Sequence, residues 1–100
     1  MSTAPDVVHT SPAGTHNIKL VYFAWVREKV GRADEAVEVP PGTTTIAGLV
    51  TWLQSRGPGY AAAFAKPAII RAAIDHRHVK ADASIVGARE IAFFPPVTGG

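Results

Sequence analysis

Residues 43–53, TTTIAGLVTWL, set Ile46, Leu49, Val50 and Leu53 at i, i+3, i+4 and i+7 behind a run of threonines. That spacing puts four apolar side chains on one helical face, and a threonine hydroxyl at the start can cap free N–H groups. Arg56 and Gly57 close the helix. On either side the pattern changes to short β-branched or alternating runs. Upstream, residues 18–23 (IKLVYF) set Ile18, Leu20 and Tyr22 on one face and Lys19, Val21 and Phe23 on the other. Only Lys19 is polar, so this strand is expected to be central and buried on both sides. Residues 24–30 (AWVREKV) predict two helical turns ended by Gly31, and residues 34–39 (DEAVEV) a half-exposed strand stopped by Pro40, Pro41 and Gly42.

Downstream, residues 58–65 are a weaker helical candidate around Tyr60 and Phe64. Residues 69–74 (IIRAAI) read as a strand, 75–78 as a turn, and Val79 and Lys80 as a short returning strand. Residues 90–94 (EIAFF) form a last strand, stopped by Pro95 and Pro96. One dominant helix between two groups of strands predicts an α+β fold, a sheet with the helix packed on one face.

One hundred residues, 47% hydrophobic and 18% charged, are enough for one domain with a core of its own. Cysteine is absent, which excludes disulfides, thiolate metal centres and a side-chain thiol nucleophile. The net charge is only +2 and the basic residues are scattered, so no nucleic-acid partner is expected. No apolar run approaches the roughly 18 residues of a membrane span, so no membrane role is expected and the cytoplasm is the expected location. Residues 1–16 are rich in Ser, Thr, Pro, Ala and Gly and are expected to form a disordered leader. The expected divisions are that leader, a folded domain over 17–96 and a projecting tail over 97–100.

Few side chains suggest chemistry. His76 and His78 beside Asp75 could begin a metal site, but the other histidines, His9 and His16, lie in the leader. A polar hairpin turn is the simpler reading, and no metal is expected. Glu35 and Glu38 stand three apart on a strand and so on opposite faces, while Glu28 is placed to pair in the neighbourhood of Lys29 or with Arg32 at i+4. There is no phosphate loop and no nucleophile–base spacing, so no self-contained active site is expected. Phe23, Trp25, Phe64, Phe93 and Phe94 supply core candidates. Alternation nevertheless puts Phe93 and Phe94 on opposite faces, as it does Tyr22 and Phe23. Phe23 and Phe94 either share an open face as an apolar patch for a protein partner, or are buried under the short helix.

The C-terminus is the unusual part. Pro95 and Pro96 stop the ladder and hold the chain extended, and Val97, Thr98, Gly99 and Gly100 reach about 13 Å at about 3.3 Å each. Two terminal glycines leave no side chain beside the carboxylate, so the end could thread a narrow channel. A frayed end is the alternative.

The tail FFPPVTGG, preceded by Glu90, Ile91 and Ala92, resembles the C-terminus of the small-subunit family of molybdopterin synthase, which are ubiquitin-like sulfur carriers. The opening IKLVYFA with Val26, Arg27, Glu28, Val30 and Gly31 is similar to that family's first strand and helix. Residues 45–53 are similar to its main helix, and residues 72–75 to its third strand. The resemblance covers residues 17–100. It implies a β-grasp fold and a sulfur-donor subunit of a sulfurtransferase. An adenylating and sulfurating partner would spend ATP on the Gly100 carboxylate and convert it to a thiocarboxylate. The tail would then enter the synthase large subunit, in an expected heterotetramer, and deliver sulfur to the cyclic pyranopterin precursor of the molybdenum cofactor. Gly100 is thereby implied as the reacting residue and Gly99, Thr98 and Val97 as the arm in the channel. Phe23, Phe94 and Arg27 are implied as partner contacts, with no cofactor bound to the chain itself. The sequence departs from the family at residues 86–90 (VGARE), where an acidic Asp-Gly-Asp type turn is usual, and at the large Trp25. A carrier for thiamine thiazole or cysteine synthesis, a protein modifier and a plain interaction module are the competing readings.

Overall fold

The computed structural model describes residues 16–96. In chain order these form β1 (His16–Tyr22), α1 (Ala24–Val30), β2 (Asp34–Val39), α2 (Ile46–Gln54), α3 (Pro58–Ala63), a 3₁₀ turn (Pro67–Ile69), β3 (Arg71–Ile74), β4 (Arg77–Val79) and β5 (Glu90–Phe94). The strands make one sheet in the order β2-β1-β5-β3-β4. β1 and β5 run parallel, with Lys19 opposite Glu90 and Tyr22 opposite Phe93, and the other neighbours are antiparallel. This is the α+β arrangement that the order of elements predicts.

Local chemistry accounts for the elements. The Thr45 hydroxyl accepts from the Gly48 N–H at 3.1 Å and starts α2, whose Ile46, Leu49, Val50 and Leu53 are all buried. Gly31 ends α1 in the left-handed region at φ +92°, with its N–H on the Arg27 carbonyl. Gly59 lets α3 close on α1, since a Cβ there would lie 2.6 Å from the Lys29 carbonyl oxygen. The turn between β3 and β4 is only two residues, Asp75 and His76, both with positive φ. That is the primed-turn geometry whose twist matches a hairpin. It places Arg77 and His78 in β4, where the sequence reads as turn. Pro67 opens a 3₁₀ turn, so β3 begins at Arg71 rather than at residue 69.

Ile18, Leu20, Tyr22, Ile91 and Phe93 point to one side of the sheet and share a core with Val26 of α1, the buried face of α2, and Ala63 and Phe64. The other side is open. Lys19 and Phe23 are exposed and Val21 is half-buried, so β1 is interior in the sheet but not buried on both faces. The apolar Val21 and Phe23 mislead here because the described helices all contribute to the one core. The expected leader, apart from His16, and the expected tail lie outside the described residues.

Ionic contacts also differ from expectation. Arg32 pairs with Glu35 at 3.2 Å and not with Glu28, because the left-handed turn at Gly31 takes it off the face of α1. Glu35 sits at the margin of the core with its side chain 7% exposed. Its Oε2 accepts from the Tyr22 hydroxyl and the Tyr60 hydroxyl, each at 2.7 Å, and from Arg56 at 3.2 Å. The Arg56 guanidinium also lies over the rings of Trp52 and Tyr60, at 5.1 and 4.9 Å. One carboxylate thus ties β1, β2, the end of α2 and α3 together.

Burial is the largest influence on Glu35 and opposes its ionisation. The Tyr60 and Tyr22 hydrogen bonds and the Arg56 charge together outweigh it, holding the carboxyl below its ordinary value. Burial and Glu35 push both phenols the other way, above theirs. Glu35 therefore contributes stability that is full above about pH 4.5 and lost as pH falls through its lowered folded value. The tyrosines contribute stability that is full below about pH 10 and lost as pH rises through their raised folded values. Replacing Glu35→Gln is expected to cost about 2 kcal/mol in chemical denaturation, the scale of hydrogen bonds to a charged group. It should also flatten the acid limb of the stability–pH curve.

Candidate docking site at the outlet of the last strand

β5 is paired along both edges, to β1 and to β3, and it is the strand that leads to Pro95 and Pro96. Its inward Phe93 is fully buried, 6.4 Å from the Tyr22 ring and edge-on to Phe64 at 5.1 Å. Those contacts fix the strand at its last turn of pleat. Phe94 therefore points to the open side, where it is half-buried and meets the His78 ring edge-on at 5.2 Å.

Phe23 extends β1 one residue past its formal end. Its N–H donates to the Phe93 carbonyl at 3.1 Å, and its own carbonyl accepts from the N–H groups of Val26 and Arg27. Val21 stands opposite Ala92, so one step of two along both strands brings Phe23 and Phe94 to neighbouring positions on the same face. Phe23 is 49% exposed. Small residues, Ala92 and Ala73, occupy the same face beside them. Arg27 is exposed on α1, with its backbone bonded to Phe23. Of the residues singled out in the sequence, Phe23 and Phe94 thus meet at the outlet, and Arg27 is exposed on the adjoining helix. Val97, Thr98, Gly99 and Gly100 lie outside the described residues.

His76 in the turn and His78 in β4 go to different neighbours. His76 Nε2 lies 3.6 Å from Glu90, while His78 lies against Phe94. Among the described residues no three metal-ligating side chains come together, and no helix is long and apolar enough to cross a membrane. Asp75 has a different role. Its carboxylate accepts from the N–H groups of Arg89 and Glu90, at 3.1 and 2.9 Å, and its own N–H donates to the Glu90 carbonyl. The start of β5 is held by main-chain groups, with Gly87 turning at φ +82°. The charge reversal at Arg89 leaves that geometry in place because Asp75 bonds its N–H and not its side chain. Neither Asp75 nor His78 was legible as part of this region, since each acts on a residue 14 or more positions away.

The ThiS family matches residues 20–100. The chain is 36% identical over 83 residues to the molybdopterin synthase sulfur carrier subunit of Escherichia coli (strain K12), covering 83% of this chain and 99% of that one. It is 28% identical over 93 residues to the subunit of the same name from Mycosarcoma maydis, covering 87% and 97%. Among solved structures, the Haloferax volcanii HVO 2177 protein superposes with a TM-score of 0.70 at 22% identity, over 99% of this chain and all of that one. SAMP1 from Haloferax volcanii superposes at 0.63 and 21% identity, over 85% and 100%. Both structures share the β-grasp fold.

Ala24, the first residue of α1, has φ +54°. An L-residue with a Cβ in that region costs about 1–2 kcal/mol. Replacing Ala24→Gly is therefore expected to raise stability by about 1 kcal/mol, read as a higher midpoint of thermal unfolding. A fall in stability as large as the extra chain entropy of glycine, about 0.4–1 kcal/mol, would mean that the site carries no such strain.

Proposed function

Because the chain belongs to the ThiS family, we propose that it is the sulfur carrier subunit of a molybdopterin synthase. The observation that carries the reading is the setting of β5. A strand clamped on both edges, and anchored by buried Phe93, passes through Pro95 and Pro96 directly into Val-Thr-Gly-Gly. A rigid base with a short side-chain-poor arm suits delivery of a terminal group into another protein's site.

The terminal carboxyl of Gly100 has an ordinary pKa of about 3.5, so at neutral pH it is an anion and a poor electrophile. One of its oxygens attacks the α-phosphorus of ATP in an adenylating partner, forming the acyl-adenylate and releasing pyrophosphate. Hydrosulfide-level sulfur delivered at that partner then attacks the acyl carbon, AMP leaves with the activated oxygen, and loss of the S–H proton gives the thiocarboxylate. The sulfur is carried on the end of the backbone, which accounts for a sulfur-handling chain without cysteine. Gly99, Thr98 and Val97 form the arm within the large subunit, and the sulfur passes to the cyclic pyranopterin precursor there. Phe23 and Phe94 supply the apolar docking patch and Arg27 a charge at its rim. The partners hold ATP and the reacting pterin, so this chain acts as one component of a sulfurtransferase, in a heterotetramer with the large subunit.

Deleting Gly100 should leave the thermal midpoint unchanged and abolish sulfur transfer in a reconstituted assay with large subunit and precursor. Transfer by the truncated chain would overturn the mechanism. Intact-mass measurement after activation should show one oxygen-to-sulfur exchange at the C-terminus. Lysine-linked adducts would instead indicate a protein modifier. Phe94→Ala should weaken large-subunit binding about tenfold while stability falls by less than about 1 kcal/mol.

A further inference from the structure

On the helix side of the sheet, away from Phe23 and Phe94, a recess of about 330 Å³ lies between α2 and the outer strands. Ala47 and Val50 form one wall, Ala72, Val79 and Ala81 the other, and Phe93 the floor. Its size falls within the range of ligand-binding pockets, about 300–1,000 Å³. The alanines leave it concave. Its one hydroxyl side chain, Thr51, already donates to the Ala47 carbonyl at 3.1 Å. Nothing in the lining therefore orients a phosphate, a sugar or another polar ligand.

Hydrogen-bonding capacity lies beside the recess instead. β4 is the outermost strand, and among the described residues no backbone group outside β3 bonds to Arg77, His78 or Val79. Val79 belongs both to that free edge and to the wall of the recess. The surrounding charge is mostly of one sign. Lys66 precedes the recess residue Pro67, Lys80 stands between Val79 and Ala81, and Arg77 shares the face of Val79. None of the three makes an ion pair among the described residues; Asp75 and Asp82 are the nearby acids in sequence, and the Asp75 carboxylate is taken up by the Arg89 and Glu90 N–H groups.

We propose that this edge and recess dock an extended segment of a protein partner, added as a strand beside β4. Its alternate apolar side chains fill the recess, and acidic residues flank them. Main-chain bonds to a free edge, with pockets for every second side chain, are a recurring mode of peptide recognition. A small apolar molecule would use the recess but not the edge or the cations, so an acidic, apolar peptide is the better fit. The site is on the opposite side of the sheet from the open face, so it does not depend on the sulfur-carrier reading.

The test is a ¹H–¹⁵N NMR titration of the full chain with the synthetic peptide acetyl-Asp-Glu-Val-Leu-Val-Leu-Asp-Glu-amide. Saturable shifts at Ala47, Val50, Val79 and Ala81, with slowed exchange of β4 amides, are the expected result. Ala47→Glu, at an exposed helix position, should keep a dispersed spectrum and weaken binding about tenfold. Exchanging Lys66 and Lys80 for Glu should weaken it several-fold, and so should replacing the peptide's acids by lysine. The proposal is overturned if shifts are absent at millimolar peptide or centre on Phe94. It is equally overturned if the free chain dimerises through this face with rising concentration, which would assign the recess to a second copy.

Discussion

The parallel pairing of β1 with β5 is the contact on which the rest of the molecule depends. Segments from opposite ends of the described chain meet in the middle of the sheet, with Leu20 opposite Ile91 and Tyr22 opposite Phe93. Those four side chains are the inner wall of the core, and α2 lies against them with its own apolar face. The hairpin of β3 and β4 attaches to the free edge of β5, and β2 to the free edge of β1. Neither attachment has a place without the central pair. Such non-local pairing is slow to form, because closing the long loop is costly before any contact repays it.

The sheet then separates two kinds of surface. Its inner side is apolar at the centre, with no fully buried charged residue among the described residues. The polar cluster around Glu35 stands at the margin, where its bonds reach three neighbouring elements without placing a charge in the centre. The outer side keeps Phe23 and Phe94 beside small residues at the point where β5 ends. On the function proposed above, such a patch docks a partner and needs no catalytic side chain of its own.

Much of the fold is legible in the sequence, and the failures have physical causes. The Thr45 cap and the spacing of Ile46, Leu49, Val50 and Leu53 specify α2, because both signals act within one or two turns. Gly31 and the proline pairs likewise act on their own backbone. β1 was harder: six nearly apolar residues look doubly buried, yet half of them face outward because the helices gather on one side. His78 falls in a strand because Asp75 and His76 alone complete the turn. The Glu35 cluster joins residues 13, 21 and 25 positions apart, and no local pattern records such a contact. The diglycine end suggests chemistry through its composition alone, and it lies outside the described residues.

The central position of β5 has a consequence for synthesis. Until residue 94 has left the ribosome, β1 and β3 have no strand between them and the core lacks Ile91 and Phe93. The strand that completes the sheet is the one that immediately precedes the arm. Chains interrupted before that point expose an unfinished core and are open to proteolysis. Folding therefore depends on the chain reaching the end of β5, and a C-terminal loss compatible with the complete sheet lies beyond that strand.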